Sequence, residues 1–368
     1  MRNIATKQGK EASLLFVAEL NGFKEGTVDS KLAYGMQCYE SNKLHPIDLD
    51  TESGRKELHE NIWLERIYAE LAEYDNYVIE CALAEQLGES KPEPLMWSVP
   101  LELDAAASMI GYEGCLLGDE RLLTMTNMHG STLSDPWHLE GMSRLHVKSA
   151  ATPLLYGSSQ TVSSLWQDKK LDYTLDQLKI FQRELNTGAL GLANDFKEFI
   201  IRNCKPKETM QVEIWNDKFT IECNRFTHIG DVTVSYSIYD SVTGKIKTIH
   251  HTKTKNVADL DQFRTYFVTL LIHCLDSQVA SNVAKKVYDK YQWVLDIHDA
   301  FIVCPEAASD VRKWYAEEMD KIYSNRQDIL ARYFKSIGIG PEANAQWLDL
   351  QDKVKPVANF KCQPMVLK

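Results

Sequence analysis

The sequence predicts an α+β protein, and three observations carry that expectation. Long stretches repeat their apolar residues at the helical period, whereas the interval 211 to 250 switches to a period of two. Three further short runs, VPLEL and the pair YQWVLDIH and AFIVCP, have the length and apolar content of strands set among those helices. A chain of 368 residues is long enough for a large buried core in one irregular domain or about two domains.

Taken in order, residues 7 to 20 place Leu14, Leu15, Val17 and Leu20 on one helical face and stop near Gly22. The polar stretch HPIDLDTESGRKELHEN separates this piece from a second helix, expected from about Trp63 to Leu87, with Trp63, Ile67, Leu71, Tyr74 and Ile79 as its apolar face. Gly88 and the two prolines of GESKPEPLMW end it. WSVPLEL is then extended and delivers Asp104 at its end, after which the small residues Ala105 to Ser108 start a helix through Tyr112. Ser143 to Leu155 is helical in pattern, and Pro153 is expected to kink it rather than stop it.

Helices follow over 173–185 and 190–202. QVEIWNDKFTIECNRF and VTVSYSIYDSVTGKIKTIH are strands, the second pair turning at SVTGK. Helix returns over 260–290, and YQWVLDIH with AFIVCP forms a hairpin that turns at His298 and Asp299. After Pro305 an amphipathic helix carries Val311, Trp314, Tyr315 and Met319 on one face. The end, KPVANFKCQPMVLK, reads as irregular chain held by apolar contacts.

Apolar residues at 44% and charged residues at 25% are the mix of a folded globular protein, which excludes extensive disorder. A formal charge of −11 excludes a uniformly basic surface but allows a local positive channel for phosphates. The eight cysteines are scattered without a Cys-x-x-Cys pair, the pattern of reduced thiols in a cytosolic setting rather than of a zinc site. The first residues lack the apolar core and cleavage site of a signal peptide, and no run approaches the ~18 apolar residues of a membrane span.

Asp104 and Asp299 have the chemistry of a two-metal phosphoryl-transfer site, where carboxylates hold divalent ions that align an attacking hydroxyl with an α-phosphate. They meet only if a strand end lies beside the hairpin turn in one sheet. Arg144 and Lys148 are one i,i+4 step apart, so a helix would present both cations to a triphosphate, with Tyr156 near the same face for sugar and base. Gly157 removes a side chain where a template base would stack. Each residue also has an ordinary role available: Asp104 and the His298–Asp299 dipeptide as turn residues, Arg144 and Lys148 as a solvated face, Tyr156 as a helix end.

At these residues the chain resembles the single-subunit RNA polymerases of bacteriophages and mitochondria. VPLELD matches their first motif at Asp104; Arg144, Lys148, Tyr156 and Gly157 match their second; His298, Asp299 and Ala300 match their third. A related DNA polymerase would carry glutamate at position 300. The resemblance covers roughly 60 to 320 and implies a right-hand polymerase fold, with an antiparallel palm sheet, mainly helical fingers and an inserted β-hairpin.

It further implies that two Mg2+ ions bind Asp104 and Asp299, that Lys148, Tyr156 and His298 serve catalysis, and that Arg144, Lys148, Tyr156, Gly157 and Ala105 bind substrate. His273 of HCLDSQV falls near Tyr156 and the nucleotide 2′-hydroxyl, a role in selecting ribonucleotides, and Arg225, Lys245 and Lys247 of the β-rich interval are candidates for DNA contact. Three positions depart from the family pattern: Ala105 and Met109 stand where it keeps glycine, and Pro153 interrupts the substrate-binding helix.

The implied division is an amino-terminal segment near a subunit boundary over 1–60, the first part of the palm over 61–125, reduced fingers over 126–260, the second part of the palm over 261–330 and a tail packed near the palm over 331–368. Full enzymes of this kind carry several hundred residues before the first aspartate, whereas Asp104 follows only residues 1–103. The chain is therefore most similar to the larger, palm and fingers, subunit of a two-polypeptide bacteriophage RNA polymerase. The expected partners are a smaller subunit with the amino-terminal domain and thumb, a DNA template, an RNA product, ribonucleoside triphosphates and a template-recruitment factor, with no membrane. The expected location is the cytoplasm of an infected bacterial host. Leu14, Leu15 and Phe16 belong either to the subunit contact or to an internal core helix. A DNA polymerase or primase of the same fold, and an inactive DNA-binding subunit, are the alternatives.

Overall fold

Thr6 starts the first helix by accepting the Gly9 amide on its side chain, and the chain leaves it through Gly22 at φ +77°. The computed structural model describes residues 3–23, 25–47, 52–105, 107–158, 160–222, 227–240, 245–297, 300–364 and 367. A two-residue strand β1 (Asn3–Ile4) precedes helix α1 (Lys7–Leu20), which spans the predicted residues. Leu14, Leu15 and Phe16 are all buried, so within this chain they are core.

Helix α2 (Val28–Glu40) was not anticipated: it buries only Lys31, Gly35 and Cys38 and is held by a Thr27–Ser30 capping box and a Lys31–Glu19 ion pair of 2.8 Å. Helix α3 (Glu52–Leu87) begins about three turns before the expected start, because this first part is helical while residues 54 to 62 mostly face water, without the apolar face that periodicity detects. Its buried face is Leu64, Ile67, Tyr68, Leu71 and Tyr74; Trp63 and Ile79, expected on that face, are 36% and 56% exposed.

Strand β2 (Met96–Trp97) pairs with β1, and Trp97 Nε1 donates to Glu306 Oε1 at 2.7 Å while Thr6 N donates to the same oxygen at 2.8 Å. One carboxylate thus fastens the amino-terminal helix to the later part of the chain. Strand β3 (Leu101–Asp104) leads into α4 (Ser108–Leu117) and α5 (Glu120–Met125). Helices α6 (Arg144–Leu155), α7 (Val162–Asp168), α8 (Leu175–Thr187) and α9 (Ala189–Asn203) follow, α8 and α9 close to expectation and α7 unforeseen.

The β-rich interval is two hairpins, β4 (Thr209–Ile214) with β5 (Asp217–Glu222), and the longer β6 (Thr227–Asp240) with β7 (Lys245–Ala258). The expected SVTGK turn falls on 241–244, outside the described residues. Helix α10 (Leu260–Tyr291) precedes β8 (Leu295–Ile297) and β9 (Ala300–Val303), and α11 (Ala308–Ser336) and α12 (Asn344–Asp352) complete the order. Val311, Tyr315 and Met319 of α11 are buried as predicted.

The architecture is mixed helix and sheet, with helices dominant and small antiparallel sheets. One three-stranded sheet, ordered β3-β9-β8, joins segments far apart in the chain. Helices α4, α10 and α11 pack together beside it, and a contiguous apolar core runs from Ala5 to Leu367. The tail joins that core through Cys362 and Leu367, and Phe360 lies over Tyr323 with ring centroids 4.3 Å apart. The expected divisions at 60/61 and 330/331 fall inside α3 and α11. Among the described residues no helix is long and apolar enough to cross a membrane.

Candidate active site

Strand alternation decides where Asp104 points. Leu101 and Leu103 are fully buried while Glu102 and Asp104 are exposed, the period-two pattern of a strand with one face on a core. The register sets Asp104 opposite Ala300, and Ala300 opposite Ile297. His298 and Asp299 lie outside the described residues. The strands that flank them are antiparallel neighbours, and Asp104 is the cross-strand partner of the residue that follows Asp299. The sheet therefore joins the end of β3 to the start of β9, segments far apart in the chain.

Ser143 caps α6 by accepting the His146 amide on its side chain. Arg144 and Lys148 are both exposed on this helix. Arg144 Nε donates to Asp135 Oδ2 at 2.8 Å, so its charge is shared with a carboxylate from the preceding loop, whereas Lys148 has no ion-pair partner among the described residues. Pro153 lies inside α6 without ending it: the Tyr156 and Gly157 amides donate to Thr152 O and Leu154 O at 3.1 Å each, completing the last turn. Lys197 of α9, itself buried, adds a bond from Nζ to Leu154 O at 3.0 Å. A buried ammonium thereby adds a second donor to a carbonyl that already accepts the Gly157 amide.

Gly157 has a role that sequence alone did not disclose. Its φ is +94°, and a Cβ there would lie 3.1 Å from Thr265 Cβ on α10. The residue lets α10 approach the end of α6, and Thr269 Oγ1 donates to Tyr156 O at 3.4 Å across the same contact. Gly157→Ala is expected to destabilise the fold by about 1–3 kcal/mol, the usual cost of a side chain held in this backbone region. Urea denaturation checks it; an unchanged midpoint would remove the close approach as the reason for glycine.

That contact delivers Tyr156 to His273, with ring centroids 5.7 Å apart and planes at 62°, an edge-to-face arrangement. Both line a cavity of about 470 Å³ together with Ser108, Asp276, Ser277 and Asp296. Asp276 lies one turn beyond His273 and accepts from Tyr112 Oη at 3.1 Å. Burial, then the neighbouring Tyr315 and Asp276, push the Tyr112 phenol well above its ordinary range, so it remains a donor. Among the described residues no lysine or arginine lines this cavity, and its wall is rich in acceptors and hydroxyls. Such a wall suits sugar hydroxyls and base amines better than phosphates.

Asp104, Arg144 and Lys148 do not line the cavity; they lie at the sheet end and on the exposed face of α6. Asp276 and Asp296 carry no motif that marks them in the sequence, although the HCLD spacing puts His273 and Asp276 on one helical face. Met109 is buried in the core, and its neighbour Ser108 is the α4 residue that reaches the cavity. Ala105, expected among the substrate-binding residues, is buried and forms an antiparallel bridge with Leu367, whose carbonyl accepts from Arg312 Nε at 3.1 Å.

Lys245 and Lys247 stand on β7 opposite Asp240 and Ile238, while Arg225 lies outside the described residues. For the two expected Mg2+ ions, Asp104 offers the hard anionic oxygen that magnesium prefers, at an exposed strand end. Among the described residues no group of three or more His, Cys, Asp or Glu side chains is arranged to hold a metal. In comparison with known proteins, the chain matches no protein-family model and no curated protein.

Proposed function

We propose that the chain is the catalytic subunit of a DNA-directed RNA polymerase with a right-hand fold. The three-stranded sheet would be the palm, α6 the triphosphate-binding helix of the fingers, and the β6–β7 ribbon the inserted hairpin. The observation that carries this reading is the register of Asp104 opposite Ala300, because it joins the first and third motifs at one end of one sheet.

In the reaction, the RNA 3′-hydroxyl oxygen forms a bond to the α-phosphorus of a ribonucleoside triphosphate. Its proton passes to solvent, and the bond from the α-phosphorus to the bridging oxygen breaks, releasing pyrophosphate. Asp104 and Asp299 would hold two Mg2+ ions, which supply charge neutralisation and alignment when bound. Lys148, exposed and without an ion-pair partner among the described residues, would take the triphosphate charge; Arg144 would join it after exchanging Asp135 for phosphate oxygens. Tyr156 and His273, with the acceptor-rich cavity they line, would bind the sugar and edge of the base. His298 would shape the hairpin near the primer end. The proposed partners are template DNA, RNA, a smaller polymerase subunit with the thumb and a template-recruitment factor, in the cytoplasm of an infected bacterium.

The test is extension of an RNA primer on a DNA template with Mg2+, using ribonucleotides and deoxyribonucleotides in parallel, alone and with the copurified smaller subunit. Preference for deoxyribonucleotides, or no extension by the assembled complex, would overturn the proposal. Within that assay Lys148→Ala is expected to raise the triphosphate KM by about tenfold or more, on the order of 1.4 kcal/mol of lost charge-assisted bonding. Unchanged KM would take Lys148 out of the site.

A further inference from the structure

Helix α3 carries two faces. One, with Leu64, Ile67, Leu71 and Tyr74, is buried in the core. On the other, Leu58, Ile62, Glu65 and Ala69 are followed by Ala72, Asn76, Ile79 and Leu83, alternating steps of four and three residues, and all eight are exposed. The four large apolar side chains of this row are between 36% and 56% exposed. This is the 3.5-residue repeat of a helix–helix seam, carried here without a helix against it among the described residues. Its centre, Glu65, Ala69 and Ala72, forms one wall of an open groove of about 680 Å³ against Tyr39, Asn42 and Leu44.

The order of the row identifies what covers it. Reversed, it matches itself: an antiparallel second helix of the same sequence sets Leu58 on Leu83, Ile62 on Ile79, Glu65 on Asn76 and Ala69 on Ala72. Small residues meet at the centre, where two backbones approach most closely, and the carboxylate meets an amide that donates to it. The flank follows the same two-fold relation, with Arg66 facing Glu73 of the other copy and His59 facing Glu80. Arg66, Glu73 and Glu80 are exposed and have no partner of their own among the described residues. A parallel copy would instead bury Glu65 against Glu65, which like charge opposes.

We infer that α3 is the seam of an antiparallel two-fold dimer, each copy laying its helix in the other's groove. The contact is isologous and closes on itself. It stands independently of the catalytic proposal.

Sedimentation equilibrium of the full chain tests it. The wild type is expected to associate to twice its 42.0 kDa mass, and Ala72→Arg to remain monomeric with unchanged circular dichroism and melting. Arg66→Glu and Glu73→Arg, whose pair occurs twice in the dimer, are each expected to weaken association by about tenfold, and the double exchange to recover to within about threefold. A wild type that stays monomeric at about 100 μM overturns the inference, including the case where a different protein occupies the seam. So does a dimer indifferent to Ala72→Arg, or a double exchange that fails to recover. Primer extension by a monomeric Ala72→Arg variant would separate the fate of the dimer from that of the polymerase reading.

Discussion

Asp104→Asn is expected to lower nucleotide addition by on the order of 10³-fold or more, equivalent to about 4 kcal/mol of transition-state stabilisation, while leaving the fold intact. The substitution removes a ligand charge and almost no volume. Asp104 lies at the exposed end of β3, and the strand is anchored from its other face by Leu101 and Leu103, both at 0% exposure. Backbone pairing with Ala300 is indifferent to the side chain. Melting and near-ultraviolet circular dichroism should therefore match the wild type when primer extension has gone, and Asp299→Asn should behave alike. Normal extension by either variant would show that these carboxylates hold no catalytic metal.

The long helices were legible because each writes a repeated apolar face into the sequence. Helix α1 came out residue for residue, and α8, α9 and α10 within a turn. Where the face is sparse the signal fails. Helix α2 buries Lys31 through an ion pair and Gly35 through close approach of the Leu14 backbone, neither of which periodicity can register. On α3 the expected apolar face mixes two, since Trp63 and Ile79 belong to the exposed side and Leu64 and Tyr68 to the core. A helix with apolar residues on both sides offers more than one period to choose from.

At the site, the strand at Asp104 and the hairpin before Pro305 are each legible as short apolar runs, whereas their pairing, Asp104 opposite Ala300, is a condition the sequence sets without showing that it is met. The Tyr156–His273 contact was anticipated only through the family resemblance and is present as an edge-to-face pair. Asp276 and Asp296 were missed because a cavity is a property of several segments at once: α4, α6, α10 and β8 each contribute a wall, and none carries a local mark of it. Gly157, expected to leave room for a template base, also leaves room for Thr265, whose proximity is invisible in one dimension.

Phe301→Ala is expected to cost about 3–5 kcal/mol, a large part of the ~5–15 kcal/mol that holds an ordinary domain folded. Phe301 is fully buried on β9 and meets Tyr315 of α11 edge-on, with centroids 6.2 Å apart. It also pairs across the sheet with Leu103 on one side and Asp296 on the other. Because β9 is the central strand, the ring ties β3 and β8 to the helix beneath them. Removing it leaves a cavity under the register that sets Asp104 opposite Ala300. Activity should fall with folded fraction and return on cooling or with a stabilising osmolyte, unlike that of Asp104→Asn, whose loss is chemical and insensitive to both. Phe301→Leu, which retains most of the volume, should lose markedly less stability than the alanine variant. Urea denaturation of the three proteins reads the series directly. A loss below about 1 kcal/mol for alanine would mean that the sheet is held by something other than this ring, and the link from core packing to the placement of Asp104 would have to be sought in Leu101 and Leu103 instead.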